Sequence, residues 1–385
     1  MTTPLRGTLL SEEHRLFQRT VREFVEREIA PHAARLDATG EFPHDNLRKM
    51  AEMGLMGLLV PPEYGGIGAS ALEYVLALEE VARGCASTAV ILSVHNSLVC
   101  YPLWRFGTPE QRERYLRRLA RGEMLGAFAL TEPEAGSDAA SIRTRARREG
   151  DSYVLNGTKI FITSGDVADI VLLFATLDPG LGSRGITAFL LEKGTPGLRV
   201  GKKEDKLGLR ASSTVELVLE DCLVPAANRL GEEGEGFRLA LQFLTGGRIG
   251  IAAQAVGIAR AAWEAALAYA RQRQQFGRPI AEFQGIRWML ADMALSIDAA
   301  RLLTYRAAEL RDAGLPHVME SSMAKLFASE TAMAVATRAV QIFGGYGYMK
   351  DHPVERHLRD AKATEIYEGT SEIHRNIIAS HLLKG

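Results

Sequence analysis

The sequence has few cysteines and shows no sign of a disulfide framework or a metal site. Its three cysteines, Cys85, Cys100 and Cys222, are widely spaced in a chain of 385 residues. An odd number of cysteines in a long chain argues against a fold stapled by disulfides. The nine histidines form no HExxH motif and pair with no CxxC motif. We therefore expect no bound metal.

The chain also lacks an excess of charge of one sign. Lys and Arg total 46 against 47 Asp and Glu. The nearest basic cluster, RTRARREG at residues 143–150, is short, and we interpret it as the charged edge of a β-hairpin. Because nucleic-acid binders present a basic face or stripe, we expect no nucleic-acid partner.

Long apolar runs are missing as well. The best candidate for a membrane span, residues 89–103, is interrupted by His95 and Asn96, whereas a spanning helix needs about 20 predominantly apolar residues. The first residues, MTTPLRGTLLSEEHRLF, contain no cationic segment followed by an apolar one. We expect a cytoplasmic protein without a signal peptide or membrane insertion.

What is present is the composition of a multidomain globular protein. Hydrophobic residues make up 46% of the chain and charged residues 24%, and this length exceeds the size at which one core keeps growing. Apolar residues recur at helical spacing between Leu10 and Arg121, and long Ala-rich helical patterns return from Gly236 onward. The later patterns predict helices to about Arg273, from Glu282 to Asp312 and from His317 to Phe343, followed by two shorter ones.

The middle of the chain has the short apolar runs of a β domain. From about Met124 the runs LGAFALTE, SYVLNGTKIFIT, DIVLLFATL, GITAFLLEK, GLRV and TVELVLEDCLVP follow one another without helical patterns between them. Asn156-Gly157 predicts a two-residue hairpin turn, and roughly seven strands suggest a small barrel or sandwich. The predicted fold class is α+β multidomain: an N-terminal all-α domain (1–122), a central β-barrel (123–230) and a C-terminal four-helix bundle (231–385).

One glycine-rich motif can be interpreted either as a dinucleotide-binding site or as a loop. GLGSRG, at residues 180–185, matches the GxGxxG pattern that binds dinucleotides at a helix N-terminus. Here the glycines precede ITAFLLEK, a β-like run, so no helix receives the pyrophosphate. We interpret the motif as a loop between two strands.

Three other stretches are more specific to a binding site. The first, FALTEPEAGSD at residues 128–138, ends a strand in small and hydroxyl residues. The second, QIFGGYGYM at residues 341–349, runs from a helix into a Gly-rich turn. The third, AKATEIYEGTSEIHR at residues 361–375, contains a helix break. In the last stretch a helix reaching Tyr367 is broken by Gly369, and Thr370 or Ser371 caps the next helix. Glu368 therefore lies on the break, where its side chain can enter a cleft. Taken alone, such a Glu is more often a solvated carboxylate.

Together these stretches resemble the acyl-CoA dehydrogenase family, and the resemblance covers nearly the whole chain in order. The segments that carry the resemblance are, in order, TEPEAGSD, NGTKIFIT, KLGLRASSTVELVLEDCLVP, GGRIGIAAQAVGIA, RQQFGRPI, QIFGGYGY and IYEGTSEI. The closest likeness is to the short-chain, butyryl-CoA type. The resemblance implies a homotetramer of subunits with three domains, with FAD between domains and in contact with a neighbouring subunit.

The resemblance also implies which residues bind ligands. Residues implied along the flavin are Phe128, Leu130, Thr131, Gly136, Ser137, Phe161, Ile162 and Thr163. Residues implied at the FAD of an adjacent subunit are Arg273, Phe276, Gln284, Gln341, Ile342, Phe343, Gly344 and Gly345, and further flavin contacts are Thr370, Ser371 and Glu372. Residues implied at the acyl-CoA are Ser137, Thr245, Gly246, Gly247, Arg248 and Gly369. Many relatives have Trp where this chain has Phe161, so ring stacking is retained although flavin tuning differs.

The implied reaction depends on Glu368. In the family a Glu at this position removes the α-proton of the acyl thioester while hydride leaves the β-carbon for flavin N5, which gives a trans-2-enoyl-CoA. Electron-transferring flavoprotein then accepts the electrons. We expect burial to raise the pKa of Glu368 and so to improve it as a base. One branch of the family places its base at the position of Gly247, which here has no side chain.

Two rival hypotheses stay open. The protein could be an acyl-CoA oxidase that passes electrons to oxygen, or a non-catalytic assembly or acyl-CoA-binding protein that has kept only the fold. The sequence also leaves open whether short, medium or branched acyl chains are preferred, because one methylene changes the free energy of binding by only about 1 to 3 kcal/mol.

Overall fold

The fold is described from a computed structural model, which describes residues 10–383. The first part is helical. Ser11 caps the first helix by accepting a hydrogen bond from the backbone N–H of His14 at 3.1 Å. The α-helices of this part are α1 (Glu12–Glu28), α2 (Ala33–Thr39), α3 (His44–Glu52), α4 (Ala71–Gly84), α5 (Ala86–Ser93), α6 (Tyr101–Phe106), α7 (Pro109–Gln111) and α8 (Arg117–Ala120).

A β domain follows the helical part. Within the described residues its strands form an eight-stranded sheet in the order β6-β7-β3-β2-β4-β5-β8, and β1 pairs in parallel with β4. The strands are β1 (Gly126–Ala129), β2 (Arg145–Glu149), β3 (Ser152–Thr163), β4 (Ile170–Thr176), β5 (Ile186–Glu192), β6 (Leu198–Lys203), β7 (Thr214–Pro225) and β8 (Arg229–Leu230).

The sheet curls around a core of its own. The rings of Tyr153 on β3 and Phe189 on β5 lie 4.9 Å apart, although these strands are not neighbours in the sheet. Strand β4 is buried on both faces: Leu173 faces this inner core, whereas Leu172 packs into the core of the helical parts. Alternate residues of a strand point to opposite faces, which explains why IVLLFAT is apolar throughout.

The hairpin predicted at Asn156-Gly157 is wrong. Both residues lie inside the twelve-residue strand β3, at a shift in its register with β7. The turn between β2 and β3 comes earlier, at Gly150-Asp151. Gly157 is needed for close packing, because a Cβ atom there would lie 2.5 Å from Oγ1 of Thr144. The loop predicted for GLGSRG is confirmed, since it joins the antiparallel strands β4 and β5.

Long helices form the last part of the chain. Their bounds agree closely with the predicted ones, except that α12 ends before Tyr367. They are α9 (Gly236–Gln272), α10 (Gln284–Asp312), α11 (Val318–Phe343), α12 (Val354–Thr364) and α13 (Ser371–Leu383), with a small hairpin of β9 (Gln274–Gln275) and β10 (Arg278–Pro279) after α9.

A buried ion network joins the first and last helical parts. Glu79 on α4 accepts hydrogen bonds from Arg301 on α10 at 2.8 Å and from Arg260 on α9 at 3.2 Å. Arg260 also pairs with Glu80, which in turn pairs with Arg22 on α1. Burial alone would raise the pKa of Glu79, but the attraction of Arg301 and Arg260 outweighs burial and lowers that pKa to about 2. These charges fix α4 against the bundle.

One continuous helical stretch, Ala86–Phe106, is long and apolar enough to cross a membrane. It is a core helix, because 94% of its apolar window is buried inside the protein. The polar residue His95 is accommodated in this core helix because both of its ring nitrogens have partners. Its Nε2 atom lies 3.1 Å from the carbonyl oxygen of Leu119, and its Nδ1 atom accepts a hydrogen bond from the N–H of Gly126.

Candidate active site

Glu368 lies on a left-handed turn between α12 and α13. Its φ is +52°, and that of the next residue, Gly369, is +105°. Two residues of positive φ reverse the chain between the helices, a conformation that Gly adopts freely and Glu adopts only at a cost. Thr370 then caps α13, since its Oγ1 accepts a hydrogen bond from the N–H of Ile373. The fold therefore specifies the position of Glu368.

The carboxylate of Glu368 is buried and has no hydrogen-bond partner. Both oxygens are inaccessible to solvent, although the residue as a whole is part-exposed. Neither oxygen, nor the backbone N–H of Glu368, has a hydrogen-bond partner among residues 10–383. Burial raises the pKa of Glu368 to about 7, while Arg248 and Lys325 oppose the rise through their positive charges. The group is available as a base at neutral pH.

Gly247 on α9 packs against this carboxylate. A Cβ atom at Gly247 would lie 2.3 Å from Oε2 of Glu368 and 3.2 Å from Cδ2 of Leu98. Any side chain at position 247 would therefore displace the carboxylate. The absence of a side chain here is a requirement for Glu368 to occupy its position.

A cavity of about 640 Å³ is lined by Gly246 and Arg248, the sequence neighbours of Gly247. It gathers the predicted acyl-CoA residues Thr245, Gly246 and Arg248. The guanidinium of Arg311 lies over the ring of Tyr101, 4.4 Å from its centroid, and both residues line the same cavity. None of the described lining residues is acidic, and both Arg248 and Arg311 have a buried nitrogen without a hydrogen-bond partner. The cavity therefore suits a ligand with acceptor or anionic oxygens.

The β domain brings together two of the predicted flavin segments. The N–H of Ile160 donates to the carbonyl oxygen of Thr131 at 3.0 Å, and the Nζ atom of Lys159 donates to the carbonyl oxygen of Leu130 at 3.0 Å. The residues around Phe128 and those around Phe161 therefore form one surface. Phe161 has a φ of +59°, and it is 60% exposed. Gly136 and Ser137 are exposed in the loop after β1, whereas Ile162 is buried within the β domain.

The bundle gathers another group of predicted flavin residues in a separate cavity of about 440 Å³. Arg273, Ile342, Phe343, Gly344 and Gly345 line it. No residue of the β domain and no residue of the turn at 368 is among its described lining. Gln284, Gln341 and Phe276 are exposed, and Phe276 is 93% exposed. This separation is the arrangement expected if the bundle contacts the flavin of another subunit.

The residues of both groups fit FAD. Gly136, Gly344 and Gly345 have open space where a Cβ atom would stand, so a flat or phosphate-bearing ligand can approach the backbone. Arg273 lies over the ring of Tyr346 and has no carboxylate within ion-pair distance in the part of the chain that the structure describes. An unpaired Arg suits a pyrophosphate, and the exposed ring of Phe161 suits stacking on a flavin.

Sequence reasoning did not find several polar residues that support the site. Lys325 is completely buried and donates a hydrogen bond to the carbonyl oxygen of Gly369 at 2.6 Å. Lys159 pairs with Glu132 at 2.7 Å below the predicted flavin surface. The one available signal for Lys325 was a lone Lys within the apolar pattern of a predicted helix. Its partner in space is not visible in the sequence.

Family models match most of the chain. The N-terminal, middle and C-terminal domain models of acyl-CoA dehydrogenases match residues 11–123, 127–222 and 234–383. A relative in Clostridium acetobutylicum, named acyl-CoA dehydrogenase, short-chain specific, is 52% identical over 375 residues, which is 97% of this chain and 99% of the relative.

Solved structures show the same fold. The butyryl-CoA dehydrogenase of Megasphaera elsdenii is similar with a TM-score of 0.95 and 48% identity, covering 97% of this chain and 99% of that one. A chain from a study of the electron transferring flavoprotein of Acidaminococcus fermentans and of flavin-based electron bifurcation has a TM-score of 0.96 and 49% identity, covering 98% and 99%. The predicted order of helical, sheet and helical parts is confirmed, and the chain belongs to the acyl-CoA dehydrogenase family.

Proposed function

We propose that this protein is an FAD-dependent dehydrogenase of short-chain acyl-CoA thioesters in which Glu368 removes the α-proton. The observation that carries the proposal is the carboxylate of Glu368, which is buried and free of hydrogen bonds among the described residues. It packs against Gly247, whose sequence neighbours Gly246 and Arg248 line the cavity. The names of the Clostridium and Megasphaera relatives support a short acyl chain.

The chain's own groups supply the proton chemistry. Glu368 accepts the proton from the α-carbon as hydride leaves the β-carbon, and the product is a trans-2-enoyl-CoA. FAD, when bound, would supply the hydride acceptor, and electron-transferring flavoprotein would take up the electrons. The α-proton is too weakly acidic for a carboxylate in water, so the thioester oxygen needs a donor as negative charge develops on it. The backbone N–H of Glu368, which has no partner among residues 10–383, is a suitable donor.

Two surfaces of the chain hold the cofactor in this proposal. The first surface binds the flavin of its own subunit and consists of Phe128, Leu130, Thr131, residues 161–163 and, at the start of α13, residues 370–372. The second surface binds the flavin of a neighbouring subunit, which requires an oligomer, and consists of Arg273, Phe276, Gln284 and residues 341–345. Exposed apolar side chains support a homotetramer, because Phe276, Trp288 and Leu295 are 93%, 62% and 71% exposed in the single chain.

The remaining predictions belong to the same proposal. We place the domain boundaries at 1–122, 123–230 and 231–385, and the protein in the cytoplasm. The core position of Ala86–Phe106 supports this location, because the apolar stretch is used inside the fold.

The proposal is tested by anaerobic reduction of the bound flavin. Straight acyl-CoAs of increasing length and branched ones are mixed with the protein, and bleaching of the flavin absorbance is followed. We expect the fastest bleaching with a short straight chain and, with Glu368→Gln, a rate lower by about 100- to 10,000-fold. A Glu368→Gln variant that bleached at the wild-type rate would refute the role of Glu368.

Two further outcomes separate the rival functions. Rapid reoxidation of the substrate-reduced flavin by air would identify an oxidase. Purified protein that takes up no FAD, or flavin that no acyl-CoA bleaches, would show that the chain is not an acyl-CoA dehydrogenase. Retention of FAD by Glu368→Gln, measured from its absorbance, confirms that a low rate reflects the missing base.

A further inference from the structure

Lys325 lies behind the turn that carries Glu368, on α11. It is completely buried, and its Nζ atom donates to the carbonyl oxygen of Gly369 at 2.6 Å. No carboxylate in residues 10–383 lies within ion-pair distance of this ammonium group. A buried Lys without a close counter-ion is costly, so its presence here indicates a role other than general stability.

The backbone around Glu368 is anchored on both sides. Before it, the Tyr367 hydroxyl donates to the side-chain oxygen of Gln254 on α9. After it, Lys325 binds Gly369, and the N–H of Ser371 donates to the carbonyl oxygen of Glu365 at 3.1 Å. The carboxylate between these anchors has no hydrogen bond of its own among the described residues. The turn is thus fixed while the reactive group is left free for substrate.

Several charged and titratable groups surround Lys325. Burial lowers the pKa of Lys325 to about 8, so the ammonium group is still charged at pH 7. Arg248 on α9 adds to this lowering, whereas Glu368 on the turn and Glu365 and Glu372 on the flanking segments oppose it. His374 on α13 packs against the same turn, with Nε2 3.1 Å from the position of a Cβ atom on Gly369. The imidazole is buried, and burial lowers its pKa to about 3, so it stays neutral. Arg248 and Lys325 are therefore the cations that act on the Glu368 carboxylate.

We propose that Lys325 is a positioning residue for the proton abstraction: its hydrogen bond holds the left-handed turn at Glu368 and Gly369, and its charge keeps the carboxylate ionised when bound substrate excludes water. This inference rests on the proposed function, because it assigns Lys325 to the same base. The ammonium does not touch the reacting atoms. It acts through the Gly369 carbonyl and through its electric field.

The experiment compares K325M, K325R and K325Q as FAD-loaded proteins, with butyryl-CoA as substrate. The rate of anaerobic flavin reduction is measured against pH, together with KM and kcat. In K325M we expect the midpoint of the pH profile to move upward by about one pH unit, because an opposite charge near the carboxylate is lost. We also expect kcat to fall by about 10- to 100-fold above the midpoint, because the turn is no longer held, and KM to change little.

The other two variants separate charge from hydrogen bonding. K325R keeps the charge and should retain a pH midpoint close to that of the wild type. K325Q keeps a donor but loses the charge, so its midpoint should move as in K325M. If K325M does not fold, the contrast between K325R and K325Q decides the question. A merely structural lysine would lower FAD content and thermal stability without moving the midpoint.

Two results would overturn the inference, and they differ from a failure of the proposed function. If wild-type protein bleaches with butyryl-CoA while K325M and K325Q keep the wild-type midpoint, Lys325 does not tune the base. If the midpoint of K325M moves but its rate above the midpoint is unchanged, Lys325 does not hold the turn. If the wild-type flavin is not bleached by any acyl-CoA, the proposed function fails, and the role of Lys325 fails with it.

Discussion

Gly247 and Glu368 are complementary in shape: the Cβ atom that any other residue would add at position 247 lies 2.3 Å from Oε2 of Glu368. These residues come from α9 and from the turn before α13, which are far apart in sequence. The contact explains why one position carries a carboxylate and the other carries no side chain. It also makes a small substitution at Gly247 a sensitive probe of where the base must lie.

Gly247→Ala should slow flavin reduction by about 100-fold, because a displacement of the base of about 1 Å has an effect of that size. The protein should stay folded, since Ala is a better helix former than Gly by about 1 kcal/mol. The rate is measured by stopped-flow bleaching with butyryl-CoA. Gly285→Ala is the matched control, because nothing lies within 4 Å of a Cβ atom there.

A double substitution tests the cause of that loss. If the methyl group acts by displacing the carboxylate, Gly247→Ala should lower the rate of flavin reduction by a smaller factor in a Glu368→Asp background, where the shorter side chain leaves room. An equal loss of rate in both backgrounds would mean that the methyl group blocks the substrate instead.

The rate should depend on pH through Glu368. Burial raises the pKa of this carboxyl to about 7, and only the ionised form accepts a proton. We therefore expect kcat/KM to rise as pH increases through about 7 and to fall about tenfold per pH unit well below it. Butyryl-pantetheine serves as a second substrate because it has no phosphate groups that titrate in this range. A flat profile between about pH 5 and 8 would contradict the prediction.

Glu368→Gln should be more stable than the wild type at alkaline pH. The folded-state pKa of about 7 exceeds the ordinary value of 4.5, so the folded protein binds this proton more tightly than the unfolded chain does. The contribution of this proton to the free energy of unfolding is fully present below pH 4.5, the pKa in the unfolded chain, and is lost as pH rises through about 7. At about 1.4 kcal/mol per pH unit, the loss is about 3 kcal/mol. Thermal scans at pH 5 and pH 8 should show a difference in Tm that grows with pH.

Glu79→Gln should destabilise the protein strongly, because it leaves the buried guanidinium groups of Arg260 and Arg301 with less compensating charge. Breaking a buried pair in this way costs about 3 to 5 kcal/mol. The control is Glu220→Gln, which breaks an exposed pair with Arg199 and should cost less than about 1 kcal/mol. Thermal unfolding at pH 7 compares the two, and similar losses would mean that the buried network has no special importance.

Lys159→Met should weaken FAD binding. Lys159 holds the carbonyl oxygen of Leu130 and pairs with Glu132, whose carboxylate accepts the N–H groups of Arg143 and Thr144 at 2.6 Å and 3.0 Å. Without the ammonium group this carboxylate is buried and uncompensated, so the segment should move. The FAD content of the purified protein measures the effect. Lys206→Met, which removes a bond to the Ser212 carbonyl, is the comparison within the same domain; equal FAD loss in both would indicate general destabilisation.

The sequence predicted the order of the three parts and the ends of the long C-terminal helices, because these depend on local periodicity and on glycine and proline signals. The turn at Asn156-Gly157 was wrong for a reason that lies outside local sequence. The pair has hairpin chemistry, but the long strand β3 continues through it, and Gly157 serves the approach of Thr144.

The candidate site shows the same division. Glu368 and the Gly-rich segments are recognisable as motifs in the sequence. The roles of Lys325, Glu132 and Lys159 are not recognisable in this way, because the partner that accounts for each buried charge is brought close only by the fold. The contact of Gly247 with Glu368 likewise depends on how α9 packs against the turn.

The ion network around Glu79 has a consequence for domain exchange between relatives. Arg22, Glu79 and Glu80 lie in the segment matched by the N-terminal model, whereas Arg260 and Arg301 lie in the segment matched by the C-terminal model. A chimera that joined the first segment to a foreign bundle would bury carboxylates opposite whatever residues that bundle supplied. These two segments therefore need to be inherited as a pair.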